Sequence, residues 1–265
     1  MFNLYNTFFM IIANKYKIIE KLNNGEFGTI FKGENIRTKE RVAIKMELIS
    51  VETKMLKRET QIYQYLGKAP GIPQVKWYGS TEEYNYMVLP LFGDSLVSKT
   101  FSLVDSLSIG QKIVRLLKFI HEKELIHRDI KPDNFVFNKE ETDIFIIDFG
   151  LCRKYIDNDK NHIELKIGKT IIGTPNFVSV NVHNGIEPSR RDDLISVAYI
   201  ILYLINSGLP WQTKREMKEM KMQKQCISQW SKTPIQLIGY LNYCETLKFD
   251  DTPDYGYLIK SLNEI

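Results

Sequence analysis

The densest chemistry in this sequence is the run His127-Arg128-Asp129-Ile130-Lys131-Pro132-Asp133-Asn134. Nineteen residues after Asp129 comes Asp148-Phe149-Gly150, directly behind the apolar run Ile144–Ile147. Asp129 can orient an acceptor hydroxyl and take its proton. Asn134 and Asp148 offer hard oxygen ligands to Mg2+, an ion that keeps several of its waters. Lys131 and Lys45, the latter within Val42-Ala43-Ile44-Lys45, bring positive charge to phosphates. The turn Asn23-Asn24-Gly25-Glu26-Phe27-Gly28 has glycines where a strand pair must fold closely over a ligand. Phe27 is placed to cap phosphates from above. These are the parts of phosphoryl transfer from ATP, a reaction that rests on positioning and charge neutralisation.

Those residues need a scaffold. Tyr16–Leu22, Gly28–Gly33, Arg41–Glu47 and Tyr84–Leu89 suit strands. In the third strand a period of two sets Val42 and Ile44 on one face and Ala43 and Lys45 on the other. A small Ala43 beside adenine and a Lys45 reaching phosphates is a sensible pairing. The segment Val51–Leu66 reads as a helix whose stripe is Val51, Met55, Ile62 and Leu66. Glu59 falls on that stripe, and a carboxylate on an apolar face is costly unless paired. It is assigned to Lys45. From about Ser108 the pattern becomes helical, with Ile109, Ile113, Leu116, Leu117 and Ile120 in one stripe. Asn134–Phe137 and Asp143–Ile147 read as a small hairpin. Strands first and helices later predict an α+β chain of two lobes sharing a cleft, about 16–91 and 92–265, with a hinge near Pro90–Gly93. Residues 1–15 read as a loosely docked extension rather than a signal peptide.

Bulk properties add limits. The chain has 265 residues, 43% hydrophobic and 26% charged, with 36 basic against 32 acidic side chains. A net charge of +4 gives no case for nucleic acid. Leu194–Ile205 is apolar but too short to span a membrane, where ~20 residues are needed; it reads as a helix buried on all sides. The stretch Lys214–Lys224 alternates with Glu and Met and reads as a solvated helix. Cys152, Cys226 and Cys244 follow no metal-ligand spacing and read as free thiols in a reducing compartment. Gly173-Thr174 could place a hydroxyl on Asp129 or Lys131. His127 reads as a packed histidine, since Asp129 already fills the role of base.

In order and spacing, these elements are similar to the protein-kinase signature set. Further motifs resemble the casein kinase 1 family. They are Tyr63 with Gly71-Ile72-Pro73, Lys131-Pro132-Asp133-Asn134-Phe135, Ser179-Val180-Asn181, Ser189-Arg190-Arg191-Asp192-Asp193-Leu194 and Leu209-Pro210-Trp211-Gln212. Tyr240-Leu241-Asn242-Tyr243-Cys244 and Phe249-Asp250-Asp251 continue the likeness, which runs from about Tyr16 to Leu262. His183-Asn184-Gly185 is similar to the vaccinia-related kinases.

The resemblance implies a two-lobed Ser/Thr protein kinase using ATP and Mg2+ on acidic or already phosphorylated protein substrates. It implies nucleotide contacts at Leu22, Asn23, Asn24, Gly25, Glu26, Phe27, Gly28, Ile30, Ala43, Lys45, Leu89, Pro90 and Phe92. Catalytic roles would fall to Lys45, Glu59, Asp129, Lys131 and Thr174, with metal at Asn134 and Asp148. Asp193 would brace the catalytic loop, and Arg128, Arg153 and Lys169 would hold an anion.

Three departures stand out. Asn23 replaces the first glycine of the turn, Asn176 an arginine of the family's anion pocket, and Met222 a lysine, with Lys218 or Lys221 nearby. The family's long regulatory tail is not found before Ile265, so no autoinhibition by such a tail is expected. A monomer in cytoplasm or nucleus, without membrane or nucleic-acid partners, is the expectation. The alternatives are a pseudokinase scaffold that binds nucleotide or partners without turnover, and a small-molecule phosphotransferase.

Overall fold

The computed structural model describes residues 10–25, 28–52, 54–214, 216–227, 230 and 232–263. Its contacts group the chain as far as Gly93 with Phe137–Gly150, and Asp94–Val136 with the chain from Leu151 onward. The first unit is built on strands and the second on helices, a two-lobed α+β architecture.

The first unit holds β1 (Ile11–Ile12), β2 (Tyr16–Gly25), β3 (Gly28–Asn35), β4 (Arg41–Leu48), β5 (Trp77–Ser80), β6 (Tyr84–Pro90) and helix α1 (Leu56–Leu66). The strands form one antiparallel sheet in the order β1-β2-β3-β4-β6-β5. Period-two alternation sends Ile18, Phe31, Val42, Ile44, Met46 and Val88 into one buried cluster. Ala43 and Lys45 take the opposite face. Ile12 also joins that cluster, and the Met10 carbonyl accepts from Ile18 N–H at 3.0 Å. Residues 10–15 are therefore docked into the sheet, not loosely attached as expected.

Helix α1 begins later than the sequence suggests. The buried carboxylate of Glu47, on β4, accepts from the N–H groups of Met55 (2.7 Å) and Leu56 (3.0 Å). It takes up donors that a helix start leaves without intrahelical partners. Val51 consequently lies outside the helix and is 38% exposed, so it is not part of the inward stripe. Leu56, Glu59, Thr60, Ile62, Tyr63 and Leu66 form the buried face instead.

The second unit is organised on α2 (Leu103–Glu122) and α4 (Arg190–Asn206). Ile109, Ile113, Leu116, Leu117 and Ile120 are all buried, as their spacing predicts. The helices approach closely at Gly110, where a Cβ would stand 2.4 Å from Ile201. Helix α4 is buried through nearly every residue from Leu194 to Leu204. Around this pair lie α3 (Val180–His183), α5 (Met217–Gln225), α6 (Ile235–Thr246) and α7 (Tyr255–Ser261). Short strands β7 (Leu125–Ile126) and β10 (Arg153–Lys154) pair with each other, while β8 (Phe135–Phe137) and β9 (Ile144–Ile146) flank a loop closed by Asn138. No helix among the described residues is long and apolar enough to cross a membrane.

Candidate active site

In the first unit, the face of β3, β4 and β6 that carries Lys45 also carries Ile30, Ala43 and Leu89. Ile30 is in register with Lys45, and Ala43 with Leu89. All three are half-buried, and Pro90 follows at the end of β6. The Phe92 ring rests on Phe145 with centroids 4.6 Å apart. Leu22 is 48% exposed. Asn23 pairs with Ile30, Asn24 with Thr29, and Gly25 with Gly28 at the tip of the β2–β3 hairpin. Asn24 Oδ1 accepts from the Thr29 hydroxyl at 3.0 Å. Glu26 and Phe27 lie outside the described residues. Gly28 has φ 133°, and a Cβ there would meet the Met46 carbonyl at 2.3 Å. Its glycine is required by the protein's own strand β4.

Lys45 is the hub of this unit. Its Nζ lies 2.8 Å from Glu59 Oε2 and 2.9 Å from Asp148 Oδ1, with Glu59 only 1% exposed. Burial works to lower the Lys45 pKa, but the charges of Glu59 and Asp148 outweigh it and the pKa is raised. Burial raises the Glu59 carboxyl, and Lys45 pulls it part of the way back. The pairing assigned from the sequence is thus present.

Asp148 sits at φ 64°, a left-handed conformation uncommon outside glycine. Its N–H donates to the Tyr63 hydroxyl at 3.1 Å, and Tyr63 meets the Phe149 ring edge-on at 4.9 Å. Tyr63 therefore fixes both residues from α1.

In the second unit the loop after β7 converges on Asp129, which is buried. Asp129 Oδ1 accepts from Thr174 N–H at 3.0 Å and from the Thr174 hydroxyl at 2.7 Å. Asp129 Oδ2 lies 2.7 Å from Lys131 Nζ, which also donates to Thr174 Oγ1 at 3.0 Å. Asn134 Nδ2 donates to the Asp129 carbonyl at 2.9 Å, so Oδ1 is the acceptor end of its amide. Gly173 has φ 92°, and a Cβ there would meet the Arg128 carbonyl at 2.4 Å. Glycine at 173 lets the chain lie this close to the loop.

Asp193 braces that loop from α4. It accepts from the N–H groups of His127 (2.7 Å) and Arg128 (2.9 Å). His121 Nε2 lies 3.1 Å from the same carboxylate, and its Nδ1 lies 2.7 Å from the Tyr255 hydroxyl on α7. Burial would raise the Asp193 carboxyl; its bonds to His121 and the His127 N–H outweigh that and hold it low. His127 is fully buried, in keeping with a packed histidine.

A protein kinase domain model matches residues 16–252. This chain belongs to the protein kinase domain family. The kinase domain fits Mg2+ by its donor chemistry. Asp148 keeps 30% of its side chain exposed, so its carboxylate reaches solvent. No group of three or more His, Cys, Asp or Glu is poised for a metal among the described residues. In the first unit Asp148 offers a hard cation carboxylate oxygens, and in the second unit Asn134 carries an amide oxygen of the same hard class.

The anion group looks different in the structure. Glu187, buried, lies 2.5 Å from Arg153 Nη1 and 3.8 Å from Arg128 Nη1, while Lys169 is exposed. The kinase domain's own carboxylate thus engages two of the three basic groups. Asn176 offers its carbonyl to Trp211 Nε1 at 2.8 Å, Met222 is exposed, and Lys221 donates to Asn184 Oδ1. The reading of Lys214–Lys224 as a solvated helix is corrected at its end: Lys224 is 1% exposed. Nothing in the local pattern separates Lys224 from Lys218 or Lys221. Its partners come from α3 and from residues 175–178, so only the fold reveals it. Glu47 and Glu187 escaped for the same reason.

Proposed function

We propose that this kinase domain is a serine/threonine protein kinase of the casein kinase 1 type, acting with Mg-ATP on protein substrates. The observation that carries the reading is the Asp129–Lys131–Thr174 cluster. An aliphatic hydroxyl, that of Thr174, is held 2.7 Å from Asp129 Oδ1 beside an ammonium group. A carboxylate set to accept from one short-chain hydroxyl is suited to receive another.

In this reading the acceptor hydroxyl oxygen bonds to the γ-phosphorus as the bond to the β,γ-bridging oxygen breaks, and ADP leaves. The hydroxyl proton passes to Asp129. Lys131 offsets the charge growing on the transferred group. Lys45, fixed by Glu59, holds nucleotide phosphates, and Ile30, Ala43 and Leu89 offer apolar contact to a base. Asn134 and Asp148 would hold Mg2+, which neutralises phosphate charge and orients the phosphates when bound. Acidic acceptors suit the chain's net charge of +4. The pairing of Arg128 and Arg153 with Glu187, together with Asn176 and Met222, favours acceptors that need no prior phosphorylation. A monomer in cytoplasm or nucleus is part of the same proposal.

The test uses γ-labelled ATP, Mg2+ and an acidic Ser/Thr-rich protein, offered with and without prior phosphorylation. Label on phosphoserine or phosphothreonine, absent in Asp129→Asn and Asp148→Asn, is the expected result, at equal rates on both acceptors. Bound ATP without transfer to any acceptor would favour the pseudokinase scaffold instead.

A further inference from the structure

Lys224 is a buried lysine with no part in the chemistry above. Its Nζ donates to the carbonyls of Pro175 (2.8 Å) and Val178 (2.6 Å) and lies 3.0 Å from His183 Nε2. We propose that Lys224 is a positioning residue for the acceptor: it fastens the inner side of the bend 174–179 and so presents Thr174 to Asp129. This rests on reading Asp129 and Thr174 as the place where the acceptor hydroxyl is received.

The bend is held from within and from below. Phe177 and Val178 N–H groups both donate to the Thr174 carbonyl, at 2.8 and 3.1 Å. Trp211 Nε1 takes the Asn176 carbonyl. Lys224 donates to those of Pro175 and Val178. Three carbonyls of the bend, those of Pro175, Asn176 and Val178, thereby accept from side chains beyond it, and its first residue is left to Asp129. Space-filling alone does not account for a lysine here. Helix α5 carries Met217, Met220 and Met222, and a methionine would bury at far lower cost than an amine.

The groups around Lys224 suit this task. From α3 comes His183, from the bend two carbonyls, and from α4 the Tyr199 ring at 4.9 Å. The Trp211 ring follows at 5.4 Å, and on α5 itself Lys221 is directed to Asn184. No carboxylate is among these partners in the described residues. Burial lowers Lys224 to about 6, and burial together with the Lys224 charge lowers His183 to about 4. Both shifts run toward the uncharged forms, and the Lys224 N–H groups reach both carbonyls with His183 Nε2 at hydrogen-bond distance.

The test compares Lys224→Met with Met220→Ala, which removes buried packing from the same helix and leaves all three Lys224 bonds in place. Amide hydrogen exchange at residues 174–179 is read with the KM for acceptor and the KM for ATP. Lys224→Met is expected to speed exchange at Phe177 and Val178 by about tenfold. It should also raise acceptor KM by about tenfold, with ATP KM unchanged. Met220→Ala is expected to lower melting temperature with neither effect. Unchanged exchange in Lys224→Met would overturn the proposal. So would equal loosening in both variants, with both KM values moving together. The exchange measurement decides the matter even if the wild type transfers no phosphate, a result that would sink only the assigned function. Should Lys224→Met fail to fold, His183→Gln loosens the same triangle more gently. Exchange at 174–179 that stays at the wild-type rate in that variant would count against the proposal equally.

Discussion

Replacing Lys45 with Met leaves two carboxylates facing each other without their shared cation. Glu59 is 1% exposed and Lys45 only 8%, so solvent cannot substitute for the lost ammonium. Removing one member of a buried pair costs about 3–5 kcal/mol, because the other charge is left uncompensated. In a chain of this length each kcal/mol moves Tm by about 2–4 °C, so a fall of roughly 6–20 °C is expected at pH 8. The loss has a defined pH sense. Without Lys45, burial and Asp148 both push the Glu59 carboxyl upward. A carboxyl raised in the folded state costs nothing where it is protonated in both states. It costs progressively more as pH rises from its unfolded value, about 4.3, through the folded one. The gap between wild type and Lys45→Met should therefore shrink toward pH 5. Lys45→Met/Glu59→Leu, which removes both charges, should recover most of the stability at every pH. Thermal melts of the three proteins at pH 5 and pH 8 supply the comparison. A gap below about 1 kcal/mol that does not change with pH is the value for an exposed pair. It would refute the claim that Lys45 and Glu59 form a buried ion pair.

Other substitutions probe the supports. Glu47→Ala removes the acceptor for Met55 and Leu56 N–H and should cost about 1–2 kcal/mol. The loss would be read as a lower denaturation midpoint, with faster amide exchange confined to the first turn of α1. Gly28→Ala should destabilise by more than about 1 kcal/mol, since it combines a positive φ with a clash against the Met46 carbonyl. Gly67→Ala, with open space at its Cβ and φ 67°, should cost less; a reversed order in thermal melts would contradict the packing argument. Asp193→Asn keeps the shape but weakens acceptance from His127 and Arg128 N–H. It should lower transfer by at least about tenfold while ATP affinity holds.

What the sequence made legible is local chemistry. Lys45, Asp129, Asn134 and Asp148 each lie in a short motif whose neighbours are fixed by a strand or a tight turn. Glu59 was legible because a carboxylate interrupts an apolar stripe. The stripe itself is shorter than its spacing suggests, running from Leu56 to Leu66. Val51 has the right spacing, but Glu47 captures the helix start at Met55, and that bond joins residues of two different elements. The strand Trp77–Ser80 went unread, since Trp77 is 44% exposed and its neighbours Gly79 and Ser80 carry little strand signal. The basic group Arg128, Arg153 and Lys169 was assigned by resemblance. Glu187, the carboxylate that engages both arginines, is distant in sequence from each. Long-range partners decide such sites, and no window of sequence contains them.

The tie from Tyr255 through His121 to Asp193 gives the chain's synthesis a direction. A ribosome releases residues 127–129 long before residue 255. Until α7 emerges, His121 lacks the hydroxyl that its Nδ1 meets, and the carboxylate beneath the loop is held from one side fewer. A nascent chain stalled short of Tyr255 would thus carry every motif residue from Lys45 to Asp193 with the loop's brace unfinished. The brace is completed only by a helix that follows every motif residue in the chain and holds none of them.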